Sequence, residues 1–576
     1  MPASGMSGNN VLLGTWCLEN FKDFLAAKNE NQIVTYHWDD RDKYYKDYAY
    51  LTEFYDKTLS GFSETLNEIH GINKNKEYWR IIIGPWLRFS IDALYDRFEC
   101  VRTASENDQI TKCTLGNYDL SKWYPKDFNQ FWNEFVSDEW NEVVFSECVK
   151  FLKVPYEVDG NFSIKPLINP RVASSECNQL KSFIKRLVLP LISMFGRIKP
   201  DVIFVSPYVK FSKVLKLAFK LRQLPYIQDT KCTVKDLAIN QAKRSLFCKS
   251  KVNDGFETFV SQLLPVLMPR SYLENFSLIR SFVLKKFPSK PKRVFTANAY
   301  QSDDGFKIWV AEKKQAGCKL IIGQHGGHFG VGKFNQTVEH QLLIASSFIS
   351  WGWKYDGQSR VVKLPSMQLS GAPTIKHNRD GFILHILSSL PRYFYCHYSI
   401  PVAGQFLSYL ENQIEFAKTL DNMSKEHYRI RLDPSSASRG WNIEGQYDSL
   451  GYSDKIDHSK QGLWLQIQKS RLCVCTHNAT VFLETLSRNF PTIVFWDERF
   501  NEISTESKSL IELLKDAEIL FYCPKQAAQK VNMVSNDIDS WWFSEGVQKA
   551  RMKFCEKYAL TSQDWATEWS EFLMRN

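Results

Sequence analysis

The sequence predicts an α/β protein of two Rossmann-like units facing a cleft, with C-terminal helices packing back on the first unit. Three observations carry this. Short, continuous apolar runs alternate with helical stretches in two separate series, as buried parallel strands do. A stretch holding Pro365 and Pro373, from Leu364 to Asp380, separates the two series. The 576 residues exceed what one hydrophobic core holds, and 44% hydrophobic with 24% charged residues is ordinary for a folded chain.

The first series opens with strands over Val11 to Trp16 and Gln32 to His37, followed by helices over Tyr45 to Ile69 and Trp79 to Val101. A strand over Asp201 to Ser206 leads into a helix over Phe211 to Arg222, and strands follow at Arg293 to Ala297, Lys319 to Gly323 and Phe348 to Trp351. The second series runs through Gly381 to Ile386, Tyr428 to Leu432, Leu472 to Thr476, Pro491 to Trp496 and Ile519 to Tyr522. Helical segments between these strands are the mark of βαβ units. The division expected is 1–370, 371–540 and a helical tail over 541–576.

Composition excludes several classes. The 13 cysteines form no Cys-x-x-Cys pair, and no signal-like segment opens the chain, so the expectation is reduced thiols in a cytoplasm. The best apolar run, Leu187 to Gly196, is interrupted by Pro190 and is far below the roughly 20 residues that span a bilayer. Charge is uneven: Lys181 to Arg293 holds 23 Lys/Arg against 6 Asp/Glu, an excess of +17 within a total of +10. Such a segment suits an anionic partner. Its helix from Phe211 puts Lys213, Lys216 and Lys220 on one face and apolar residues on the other. That pattern fits peripheral contact with the inner face of an anionic membrane, or a solvated face over a packed stripe. No nucleic-acid-binding motif accompanies it.

Ligands of open α/β sheets bind past the carboxyl ends of strands, so residues there are the candidates. Gly323-Gln324-His325-Gly326-Gly327-His328 follows one strand; its glycines permit a tight turn, and His325 can act as acid or base. Asp303 and Asp304 follow the preceding strand, as a reactive pair or as an N-cap. Arg429 and Arg431, at i and i+2, share a strand face and suit a phosphate fork, or are a plain edge-strand pair. Thr476, Asn478 and Thr480 form a polar turn opening a helix that can receive phosphate, with Glu484 one turn on to reach a sugar hydroxyl. His37 to Arg41 has metal-compatible residues without further ligands at defined spacing, so neither a metal nor a cofactor is expected.

Val11 to Thr15, Tyr78 to Leu87, Thr296 to Tyr300, Gln324 to Gly327 and Ser350 to Trp353 together resemble a transferase family encoded in O-antigen biosynthesis clusters. More distantly the chain is similar to GT-B glycosyltransferases of capsule and lipopolysaccharide assembly, such as the retaining β-Kdo transferases. This resemblance implies a metal-independent GT-B enzyme whose second domain binds a nucleotide-sugar donor, such as a CMP-activated ulosonic acid. The first domain would take a glycan or lipid-linked glycan acceptor. It puts Arg429, Arg431, Asn478, Thr480 and Glu484 on the donor side and His325 with Asp303 or Asp304 at the reacting centre. His477 and Ala479 depart from the Tyr and Ser of the family's turn. Alditol-phosphate transfer of the CDP-glycerol type and a non-catalytic glycan-binding subunit stay open as alternatives.

Overall fold

The computed structural model describes residues 11–18, 33–106, 112–167, 200–230, 232, 234–248, 255–459 and 461–575. Leu187 to Gly196, Gln32 and parts of the basic stretch lie outside the described residues.

Two long helices begin the described architecture. Arg41–His70 starts where the Asp40 carboxylate accepts the Asp42 and Lys43 N–H groups, and stops at Gly71 in the left-handed region (φ 61°). Lys76–Ser105 starts where Asn75 accepts the Tyr78 N–H, and it is buried over most of its length. Strands β1 (Cys113–Asn117) and β2 (Tyr156–Ser163) then pair in parallel as a small separate sheet, which the sequence did not reveal.

The first large sheet comprises β3 (Val202–Val205), β4 (Arg293–Thr296), β5 (Lys319–Gly323), β6 (Ser347–Ser350) and β7 (Val361–Lys363). All are parallel, in sequence order. Their apolar runs are continuous because both faces are covered. Phe204, Phe295 and Ile321 point to one core, with Trp565, Trp569 and Leu573 of the last helix, Trp565–Arg575. Ile203, Val205, Val294, Leu320 and Ile322 point to the main core on the other side.

The second sheet comprises β8 (Phe382–Ile386), β9 (Tyr428–Arg431), β10 (Ser470–Cys475), β11 (Thr492–Phe495) and β12 (Leu520–Phe521). It is also parallel, in the order β12-β11-β10-β8-β9. The chain therefore reverses direction across the sheet between β8 and β10, and the crevice at such a reversal is where ligands bind. Two parallel α/β units facing a cleft make this a GT-B arrangement, as expected.

Two expectations need correction. Val11 to Trp16 and the described part of the second stretch, Ile33 to His37, are not strands of the first sheet. Thr15–Cys17 is a 3-10 turn, and the pairing among the described residues there is a single bridge between Leu12 and Ile33. The C-terminal helices also divide their allegiance. Glu545–Tyr558 packs mainly on the second unit, with Phe554 against Phe482 (ring centroids 5.7 Å apart), while its last turn meets Gly352 and Tyr355 of the first. The chain then crosses where the Leu560 N–H donates to the Trp351 carbonyl (3.0 Å), and the last helix covers the first sheet.

Candidate active site

A cavity of about 480 Å³ lies between the two sheets, walled by loops that leave β5, β8, β9 and β10. From the first unit come His325 to Phe329; from the second come Ser388 to Pro391, Arg439 and Thr476 to Thr480. The two loops singled out in the sequence meet here. A Cβ on Gly327 would sit 2.2 Å from the Ala479 carbonyl carbon, and one on Gly326 3.0 Å from Thr480 Oγ1. The Gly327 N–H donates to Thr480 Oγ1 at 3.0 Å. Glycine is required for this backbone-on-backbone contact, and no larger residue leaves the floor of the cavity intact. Thr476 anchors the turn by donating to the Ile386 carbonyl (3.0 Å) and bonding the Tyr409 hydroxyl (2.7 Å).

The electrostatics are one-sided. Among the described residues the wall holds no aspartate or glutamate, and Arg439 is its full cation. The helix Thr480–Ser487 opens on the cavity at Ala479 with no side chain capping it. Its free N–H groups and dipole favour an anion. Four buried polar atoms with no partner among the described residues belong to this wall: His325 Nδ1, Ser389 Oγ, Asn478 Oδ1 and Asn501 Oδ1. Unpaired buried polar atoms are costly, and all four belong to residues that line this one cavity, which makes it the candidate ligand site.

Burial pushes the His325 imidazole down to about 4, against the Ala297 carbonyl, so it is neutral at pH 7. Tyr208 stands edge-on to it at 5.9 Å, held at φ 57° just past β3 beside Ser206 at φ 44°. Non-glycine residues in the left-handed region are strained, and such strain gathers at functional sites. His328 is of another kind. Its Nε2 lies 3.1 Å from the Ser399 carbonyl and its Nδ1 3.4 Å from Asn335 Nδ2, so both ring nitrogens are engaged in holding the loop.

A family profile described as LIC12162 family transferase matches residues 4–573. The chain belongs to the LIC12162 family of transferases. Comparison with curated proteins returned no match. Among solved structures, Anabaena HepE in complex with UDP and glucose is similar at 11% identity and a TM-score of 0.37, covering 65% of this chain and 99% of its own. UDP-N-acetylglucosamine 2-epimerase from Rickettsia bellii is similar at 11% and 0.34, covering 65% and 95%. Acinetobacter baumannii MurG is similar at 10% and 0.32, covering 66% and 100%. Likeness at this level carries no weight on activity.

The remaining sequence candidates of this LIC12162-family chain lie away from the cavity wall. Gln324 is engaged at both ends of its amide: its Oε1 accepts from the Trp351 N–H (2.9 Å) and Trp353 Nε1 (2.8 Å), and its Nε2 donates to the Gly326 carbonyl (2.8 Å). It clamps two family motifs together. Glu484 accepts from Gln368 Nε2 at 2.9 Å, and burial raises its pKa. Arg429 donates to the Tyr428 carbonyl (2.7 Å) and lies over Phe382, while Arg431 donates to the Gln461 carbonyl (3.1 Å) and to Gln466. Both sit on edge strand β9 and turn back on their own unit.

Asp303 caps the helix Asp304–Gln315, accepting from the Phe306 N–H (2.9 Å) and the Thr230 hydroxyl. Asp304 pairs with Lys307 (2.8 Å) and accepts from Ser271, Tyr272 and the Phe128 N–H. These partners fill the accepting capacity of Asp304 and about half of that of Asp303. The pair lines a second cavity, of about 640 Å³, that shares Trp132 and Gln301 with the first.

In the His37 to Arg41 stretch, Asp40 is a helix cap and Asp39 accepts from Gln405 (3.0 Å). His37, Asp96 and Cys100 form a buried group of metal-compatible types, but Asp96 already accepts from Tyr36 (2.6 Å), His37 (3.2 Å) and Arg97 (3.0 Å). That carboxylate is committed to the polar core of the helix.

Proposed function

We propose that the chain is a glycosyltransferase that takes a nucleotide-activated sugar on its second unit and an acceptor on its first. The observation that carries this is the anion-ready wall where two units meet, free of carboxylates among the described residues and lined by four residues that carry unpaired buried polar atoms. Donor phosphate lies against the uncapped N-terminus of Thr480–Ser487 and Arg439, which stabilise the leaving nucleotide as its charge develops. Neutral His325, which lines the same cavity, takes the proton of the acceptor hydroxyl as that oxygen attacks the anomeric carbon and the bond to phosphate breaks. The acceptor approaches through the second cavity, where Trp132 offers an aromatic face at the junction.

Direct displacement by a hydroxyl inverts the anomeric centre. The retaining route through an aspartate nucleophile finds less support, because Asp303 and Asp304 are held by capping and ion-pair partners. Surface-polysaccharide assembly and a CMP-activated ulosonic acid donor follow from the sequence resemblance and are part of the proposal.

Thermal shift with CMP, UDP, dTDP and GDP tests it first. A nucleotide at about 100 times its Kd should stabilise the fold by about 2.7 kcal/mol. The matching nucleotide sugars should then be hydrolysed or transferred, with the anomeric configuration read by NMR. No stabilisation by any nucleotide or nucleotide sugar would sink the reading, and CDP-glycerol in the panel tests alditol-phosphate transfer.

A further inference from the structure

The helix Phe211–Lys220 buries Val214, Leu217 and Ala218 against the first sheet and the last helix, which accounts for one apolar stripe. A second stripe is uncovered. Phe211, Leu215 and Phe219 are 51%, 49% and 82% exposed, and their spacing of four puts them in one row along the helix. Leu224, just beyond, is also exposed. The lysine face expected from sequence is not intact: Lys213 turns inward and donates to the carbonyls of Met367 (2.6 Å), Gln368 (2.9 Å) and Ser370 (2.8 Å). Lys210, Lys216, Lys220 and Arg222 are exposed around the apolar row, and no acidic residue occurs between Asp201 and Asp229.

We propose that this helix is a shallow membrane anchor, lying in the interface of an anionic lipid surface with Phe211, Leu215 and Phe219 inserted and the flanking cations at the headgroups. An amphipathic helix with bulky apolar side chains on one row and cations at its margins partitions in this way. A second copy is a poorer occupant, because two such faces would bring like charges together. Exposed Tyr208, three residues before the helix, lies on the cavity wall, so the anchor sets the cleft mouth at the lipid surface. A lipid-linked acceptor would then need to leave the bilayer only slightly to reach the site. The contact is driven by insertion, with charge as the steering term.

Flotation of the full chain with vesicles of phosphatidylethanolamine and phosphatidylglycerol tests this, and the readout is independent of any transfer activity. Wild type should float, Phe219→Glu should lower the partition about tenfold or more, and Leu215→Ser should lower it in the same sense. The double variant Lys216→Glu, Lys220→Glu should bind less at low salt and approach wild type at high salt. A residual wild-type fraction should persist at high salt, since insertion is not screened. The proposal is overturned by a wild type that binds no vesicle, or by Phe219→Glu floating like wild type. A wild-type dimer that Phe219→Glu makes monomeric without vesicle binding also overturns it, in favour of an interface between copies. So does a large loss of melting temperature in both apolar variants, which would show the row to be covered by the chain itself.

Discussion

His325 carries two testable consequences at the scale of a single residue. Its folded pKa, near 4, lies below the ordinary histidine value, so in the free protein the neutral base persists as pH falls from 8 to about 5. The acid limb of kcat/KM, which reports the free enzyme, should therefore fall near pH 4 to 5 and not near 6.5. A donor phosphate alongside raises the same pKa, so the limb of kcat should sit higher than that of kcat/KM. His325→Ala should lower kcat by about 10²–10⁴-fold, while a loss of melting temperature instead would assign the ring to the fold. The arginines separate just as sharply. Arg439→Ala should weaken nucleotide binding by about 1.5–3 kcal/mol, the scale of a hydrogen bond to a charged group, by calorimetric titration. Arg431→Ala should leave that affinity nearly unchanged, because its guanidinium is spent on Gln461 and Gln466. Sequence pattern found His325, Thr476 and Asn478 because each lies just past a strand end. It missed Arg439, which follows the same rule, because the arginines inside β9 drew the phosphate reading; the Ser-rich loop after that strand was the signal to follow. Ser389 also follows a strand end, that of β8, and Asn501 lies beyond β11, but their unpaired buried atoms exist only once the chain is folded.

Among the elements, the two glycines of the β5 loop decide whether the units can meet. Gly327→Ala places a methyl group 2.2 Å from the Ala479 carbonyl carbon, with backbone on the far side and no flexible side chain to yield. The variant should lose about 1–3 kcal/mol of stability and most of its turnover, as the cavity floor is forced open. Gly546→Ala, where an added Cβ meets nothing within 4 Å, should stay within about 0.5 kcal/mol of wild type and remain active. Equal behaviour of the two variants by thermal melting would show that the loop contact is slack. Strands β8, β10 and β11 were readable because each is a short, mostly apolar run buried over nearly all its length and bounded by turn residues. The failures have the same physics behind them. Val11 to Trp16 is equally apolar, but its buried Trp16 packs against Tyr36 and Phe145 instead of entering a sheet. Strand β2 runs largely exposed, so no hydrophobic period announces it.

For the whole molecule, the last helix is the tie that makes one cleft from two units. Trp569 is 2% exposed, sets its ring edge-on to Phe295 of β4 at 5.5 Å, and donates from Nε1 to the Pro365 carbonyl at 2.8 Å. Trp565 and Leu573 complete the cover over Phe204 and Ile321, on the face of the first sheet turned away from the main core. Emptying this contact removes a large buried aromatic, so Trp569→Ala should cost about 3–5 kcal/mol. The loss should not be shared evenly, because the penultimate helix and the second sheet do not depend on it. Calorimetry of wild type is expected to show closely coupled unfolding of the two units. In Trp569→Ala the first unit should melt earlier, separating from a second transition that keeps its position. The nucleotide found by thermal shift should then raise the second transition in both proteins, since the uncapped helix Thr480–Ser487 and Arg439 both belong to that unit. Turnover should fall further than nucleotide affinity, because His325 is carried by the first unit and its distance from the donor is set by the tie. A variant that melts as wild type, or loses affinity and turnover in equal measure, would mean that the second unit alone orients the chemistry.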